Sequence, residues 1–126
     1  MRKGNYTIYG NKEYRFTIEE DNSISLISND IIDLQKGFKK YAHGVYIKSV
    51  ESNELKETYY VHPFALYKEE KFDAIVDEMN QRVNLGTGDA DIARKLSFDR
   101  TDKYYYEKWV SIEDVELFEE KTEINL

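Results

Sequence analysis

The chain of 126 residues has no cysteine, which excludes a disulfide framework and a thiolate metal site. That absence fits a reducing cytosol. Proline occurs once, at Pro63, and no apolar run approaches the length of a membrane-spanning helix. The first residues, Met1-Arg2-Lys3-Gly4-Asn5-Tyr6, lack the apolar stretch of a secretory signal, so the Asn5-Tyr6-Thr7 glycosylation triplet reads as chance. Basic residues are outnumbered, eighteen to twenty-five, giving a net charge of −7. A negative field repels phosphate backbones and disfavours general nucleic-acid binding. Histidine occurs only at His43 and His62, with no close metal-ligand spacing, and both read as turn residues. At 15.0 kDa the chain can bury one core, so a single domain over 1–126 is expected, with 122–126 as a frayed tail.

Strand patterning dominates what is present. Tyr6 and Ile8, then Tyr14, Phe16 and Ile18, then Ile24 and Leu26 alternate with mostly polar neighbours, as half-buried strands do. Gly10-Asn11 and Asp21-Asn22 supply the turns between them. Ile31, Leu34, Phe38 and Tyr41 fall at helical spacing behind a cap at Asn29 or Asp30, predicting a short helix or helical turn over 30–41. Strand character resumes at Val45–Val50 and Thr58–Val61, and Pro63 should mark a strand end or an edge. Residues 71–88 fit either a helix face (Phe72, Ile75, Val76, Met79) or a hairpin turning at Asn80-Gln81. The hairpin is favoured. Asp89–Leu96 reads as a short helix with Ile92, Ala93 and Leu96 buried. Asp102–Trp109 reads as one aromatic strand, and Val115, Leu117 and Phe118 as the last. The fold class expected is α+β: a mostly antiparallel sheet of seven to nine strands, curled towards a partial barrel, with one or two short helices.

Two short aromatic runs echo each other. Thr58-Tyr59-Tyr60-Val61 and Lys103-Tyr104-Tyr105-Tyr106 each lead into a turn and then a Glu-Glu-Lys, at 69–71 and 119–121. Two related β modules would explain this, although one continuous domain is the preferred reading.

No catalytic motif stands out. The Gly86–Leu96 stretch precedes a helix but lacks the dinucleotide and phosphate-loop glycine patterns, and Asp89 and Asp91 would repel an anion there. Asp99 and Asp102 flank a compact polar loop that reads first as a solvated turn, and the weaker Asp73, Asp77 and Glu78 group reads as a solvent face. No cofactor and no metal are expected.

Tyrosine is the richest signal, with 11 copies. The densest cluster is Tyr104, Tyr105, Tyr106 and Trp109, followed by Glu113, Asp114, Glu116, Glu119 and Glu120. Alternation should put Tyr104 and Tyr106 on one face and Tyr105 on the other, with Trp109 grouped with Tyr105. Such aromatics either cover a core or anchor a partner, and carboxylates beside them select a basic one. Tyr104, Tyr105, Tyr106, Trp109, Glu113, Glu116, Glu119, Asp99 and Asp102 are therefore the candidate partner-binding residues.

The strand meander around Tyr6–Leu26, the Gly86-Thr87-Gly88-Asp89 turn with its helix, and the closing Lys103–Val110 and Ile112–Glu116 runs resemble small bacterial immunity proteins of contact-delivered toxin systems. The resemblance implies a cytosolic, non-enzymatic inhibitor that binds a cognate and often basic toxin domain. The alternative is an accessory or scaffold domain of a bacterial or phage assembly, and a third reading is a small-molecule enzyme. None of these involves nucleic acid or membrane.

Overall fold

A computed structural model describes residues 1–126. In chain order the elements are β1 (Gly4–Tyr9), β2 (Lys12–Ile18), β3 (Ile24–Ser28), a 3-10 turn (Ile31–Lys36), β4 (Lys39–Ala42), β5 (Val45–Val50) and a 3-10 turn (Ser52–Glu54). They continue as β6 (Glu57–Tyr67), β7 (Glu70–Asp77), β8 (Arg82–Thr87), α1 (Ala90–Lys95), β9 (Asp99–Asp102), β10 (Tyr105–Ser111), a 3-10 turn (Ile112–Asp114) and β11 (Glu116–Glu123). The architecture is mostly antiparallel β with short helical segments, as expected. No helix is long and apolar enough to cross a membrane. Strands β4 and β9 each pair on one side only, so the sheet does not close into a barrel.

The chain clusters into two compact units. The first holds Lys3–Val61 and Lys121–Leu126; the second holds Met1–Arg2 and His62–Glu120. In the first, strands run in the order β4-β5-β3-β2-β1. Its core is Tyr14, Phe16, Ile24, Leu26, Phe38, Tyr46 and Val50. In the second the order is β9-β10-β8-β7-β6, around Ala65, Tyr67, Phe72, Ala74, Val83 and Leu85.

These units are two copies of one fold, offset by roughly sixty residues. The shared contacts are specific. Phe38 packs on Tyr14 with ring centroids 5.1 Å apart, and Phe98 packs on Phe72 at 4.9 Å. Tyr9 meets Tyr14, and Tyr67 meets Phe72, both at 6.4 Å. The Lys48 ammonium donates to the Lys36 carbonyl at 2.8 Å, and that of Lys108 to the Leu96 carbonyl at 2.9 Å. The same two lysines lie over the rings of Tyr9 and Tyr67. Asp30 caps the first helical segment and Asp89 the second. Even the edge irregularity repeats, with a register shift between Lys40 and Ala42 in β4 and another where β9 meets Tyr105/Tyr106. The sequence echo does not follow this structural repeat: its pairing of 58–61 with 103–106 is out of register with it.

Several expectations change. The helical turn expected over 30–41 is a shorter 3-10 turn over Ile31–Lys36, followed by β4. Ile31, Leu34 and Tyr41 are exposed, and Asp33 and Phe38 are the buried residues. Gly37, at φ 89°, ends the turn and delivers Phe38 to the core. Asp102–Trp109 is no continuous strand, because Lys103-Tyr104 is the turn of the β9–β10 hairpin. Eleven strands replace seven to nine, and the short exposed β4 and β9 account for most of the shortfall. Pro63 lies inside β6, between its ladder to β1, ending at Val61, and its ladder to β7, starting at Phe64. The chain end is tied down: the Ile124 amide donates to the Thr58 carbonyl at 2.9 Å, and its side chain packs on the first core. The 72–79 ambiguity resolves as the β7–β8 hairpin, with Gln81 at φ 53° in its turn.

The first unit differs from the second at one core point. Asp33 is fully buried. Its carboxylate accepts from the Ser28 hydroxyl at 2.5 Å, the Tyr14 hydroxyl at 2.8 Å and the Lys12 ammonium at 3.0 Å. The matching residues of the second unit are Thr87, Phe72 and Glu70, around Ile92. Burial pushes the Asp33 carboxyl up, but its hydrogen bonds from Ser28, Lys12 and Tyr14 outweigh this and hold it at about 2. A depressed carboxyl contributes stability that is full above its unfolded value and is lost as pH falls through the folded one. Acid melting curves should therefore show a loss between about pH 4 and pH 2 that is absent in Asp33→Ala. That variant should also melt lower at neutral pH, by about 3 kcal/mol of stability, because Tyr14 and Ser28 lose their acceptor.

Candidate protein-binding face

Strand alternation sends Phe72, Ala74, Val83 and Leu85 into the second core and leaves the opposite face of β7, β8, β10 and β9 outside. Two cross-strand rows define that face. One runs Asp73–Gly86–Glu107–Asp99. The next runs Ile75–Asn84–Trp109. Ile75 is 58% exposed and Trp109 47%. Beside them lies a shallow cleft of about 290 Å³ bounded by Ile75, Asn84, Asp99, Thr101, Glu107 and Trp109.

The face is held rigid from within. The Tyr105 hydroxyl crosses over β8 and donates to Asp73 Oδ2 at 3.2 Å. It can do so because residue 86 is glycine: a Cβ there would collide with the Tyr105 hydroxyl. Burial, followed by the Asp73 charge, pushes the Tyr105 phenol up to about 12. His62, expected in a turn, is in β6, with Nε2 3.3 Å from Asp73 Oδ1 and its ring against Phe64. Buried Asn84, in the amide orientation that satisfies both neighbours, donates to Glu107 Oε1 at 2.8 Å and accepts from Trp109 Nε1 at 3.2 Å. The Arg82 guanidinium stacks 4.1 Å from the Trp109 ring and pairs with Asp77 at 3.2 Å. Trp109 is thus an exposed aromatic fixed at its nitrogen and on its ring, so little freedom remains for a partner to freeze.

The predicted site residues divide. Tyr105, Trp109 and Asp99 meet on this face. Tyr104 sits in the hairpin turn, 74% exposed, with Lys103 over its ring. It therefore shares no strand face with Tyr106, which is half-buried opposite Thr87. Asp102 receives the Lys103 amide at 2.7 Å and closes the turn. Glu119 is engaged by the backbone and side chain of Arg2. Glu113 and Glu116 line a different hollow, with Leu66, Glu69 and Val115. Asp73, Ile75, Asn84 and Glu107 were missed, although alternation along β7 could have pointed to Asp73 and Ile75. The Gly86–Leu96 segment is a capped helix start: the Asp89 carboxylate accepts the Asp91 and Ile92 amides. No group of three or more histidine or carboxylate side chains is arranged to hold a metal.

Charge is unevenly divided. The second unit carries nine basic and fifteen acidic residues, and the first nine and ten. The contrast is sharpest at matched positions. Where the second unit has Asp73–Gly86–Glu107–Asp99, the first has Arg15–Ile27–Ile47–Lys39 in the same cross-strand row.

Over residues 1–126 the chain matches the family described as "Uncharacterised conserved protein UCP033725", and it belongs to that family. No curated protein and no solved structure matches it.

The Gly86–Tyr105 fit is testable. Gly86→Ala should swing the Tyr105 ring outward, cost about 1–2 kcal/mol and bring the phenol titration down towards 10. In a Tyr105→Ala background the same change should cost almost nothing. Additive losses in the double variant would contradict the fit.

Proposed function

We propose that the chain is a non-enzymatic, cytosolic binding protein that neutralises a basic partner, in the manner of an immunity protein facing its cognate toxin domain. The carrying observation is the convergence, on one rigid sheet face, of exposed Trp109 and Ile75 with Asp73, Asp99 and Glu107. An ordered tryptophan beside a row of carboxylates suits a contact whose apolar centre supplies affinity and whose charges supply orientation. The acidic excess of the second unit would steer a basic protein towards this face. A second reading, an accessory domain that bridges components of an assembly, draws on the opposite charge of the matched row in the first unit.

The test uses the product of the adjacent gene as the partner. Trp109→Ala should weaken its binding by about 2 kcal/mol beyond what the accompanying fall in melting temperature explains, a fall expected because the buried Asn84 amide oxygen loses its donor. Association should slow as salt rises, with dissociation changing less. A tight complex indifferent to Trp109→Ala would move the interface elsewhere, and an on-rate indifferent to ionic strength would remove charge from recognition.

A further inference from the structure

The matched rows of opposite charge carry a second interaction. In the first unit Arg15 and Lys39 stand at the two ends of a row across β2, β3, β5 and β4, with half-buried Ile27 and Ile47 between them. In the second unit Asp73 and Asp99 stand at the two ends of the equivalent row, with Gly86 and Glu107 between. Each row spans three strand spacings, about 14 Å, so the ends of one match the ends of the other. The side chains of Arg15, Lys39 and Asp99 make no hydrogen bond or ion pair within the chain. Their charges are unspent, and Arg15, Lys39 and Asp99 are exposed.

We propose that the chain self-associates, the acidic row of one copy docking on the basic row of a second. The two end pairs set the register. Ile27 and Ile47 lie against the shallow ground above Gly86, where the Tyr105 ring fills the surface. Long basic side chains meet short acidic ones, which suits two sheet faces packed about 10 Å apart. Each copy bears one row of each sign, so reciprocal use closes a dimer and sequential use builds a chain. The occupant is a second copy because the complementary row, matched in length and position, is part of this same sequence. The acidic row lies within the face assigned above to a basic partner. Self-association therefore competes with that partner and holds the face covered in its absence.

Sedimentation of the intact chain, from micromolar to near-millimolar and at two salt concentrations, tests this. The average mass should rise above 15.0 kDa with concentration and fall back as salt is added. Arg15→Glu with Lys39→Glu makes both rows acidic, and Asp73→Lys with Asp99→Lys makes both ends of the acidic row basic. Each should weaken self-association at least about ten-fold. Asp99→Lys alone leaves the contacts of Asp73 with Tyr105 and His62 undisturbed and should weaken association by less than the double reversal, and melting curves verify that every variant is folded. The decisive step is mixing the two reversed variants in equal amounts, which should restore the heavier species. A wild-type chain that stays at monomer mass overturns the proposal, as does an assembly untouched by the reversals or a mixture that fails to associate. The Arg15/Lys39 variant should still bind the basic partner. A wild-type chain that binds the basic partner but stays at monomer mass overturns self-association alone, and one that self-associates but binds no basic partner overturns the proposed function alone.

Discussion

Both units depend on one device: a short helical segment stopped by a left-handed residue that drops a phenylalanine onto the sheet. Gly37 does this for Phe38 and Ser97, at φ 62°, for Phe98. The ring covers Tyr14 or Phe72, and the next strand then starts outward as an edge. A lysine from the neighbouring strand, Lys48 or Lys108, ties off the carbonyl left open at the end of the helical segment. Its stem and charge also lie over Tyr9 or Tyr67. A single residue thus satisfies a helix end and roofs the core, which explains why a charged side chain recurs at a half-buried place in both copies.

Duplication supplies an internal control. Positions that agree between the units report what the fold needs, and positions that differ report what each unit does besides fold. Two differences stand out. The first unit spends a buried carboxylate, Asp33, where the second has an apolar contact, and a fully hydrogen-bonded buried charge of this kind adds little net stability over a well-packed apolar core. On the outer face, the second unit gains Trp109 and Ile75 where the first has Ser49 and Thr17, and the charge of the neighbouring row inverts.

The strands were legible because their period of two survives in β1, β2, β3, β5, β7 and β8. What misled was helical spacing at Ile31, Leu34 and Tyr41. These side chains point into solvent, and Asp33, the least apolar residue of the turn, is the one buried. Charge made Asp33 look like surface, and only the donors from β2 and β3 overturn that reading. The β6–β7 turn was illegible because Lys68 and Glu69 hold φ 48° and 70° without the glycine or asparagine such angles favour. The tyrosine cluster was half legible. Its residue types suit a surface, but nothing in Lys103-Tyr104 marks the hairpin turn they form, so strand alternation alone misplaces Tyr104. Asp73 and Gly86, distant in sequence, complete the Tyr105 arrangement and could not be joined to it without the fold.

Charge acts at two ranges here, and the ranges select different things. The acidic excess of the second unit is felt at a distance and governs which molecules approach and how fast. At physiological salt that field decays within about 8 Å, so it repels another copy only weakly at encounter. The rows act inside that distance, where end-to-end matching of individual charges decides. A partner with a strong basic field gains from both ranges, whereas a second copy gains from the short range alone. A basic partner should therefore displace a second copy from the same face without touching the first unit, and the fold would keep its apolar Trp109 surface covered until that partner arrives.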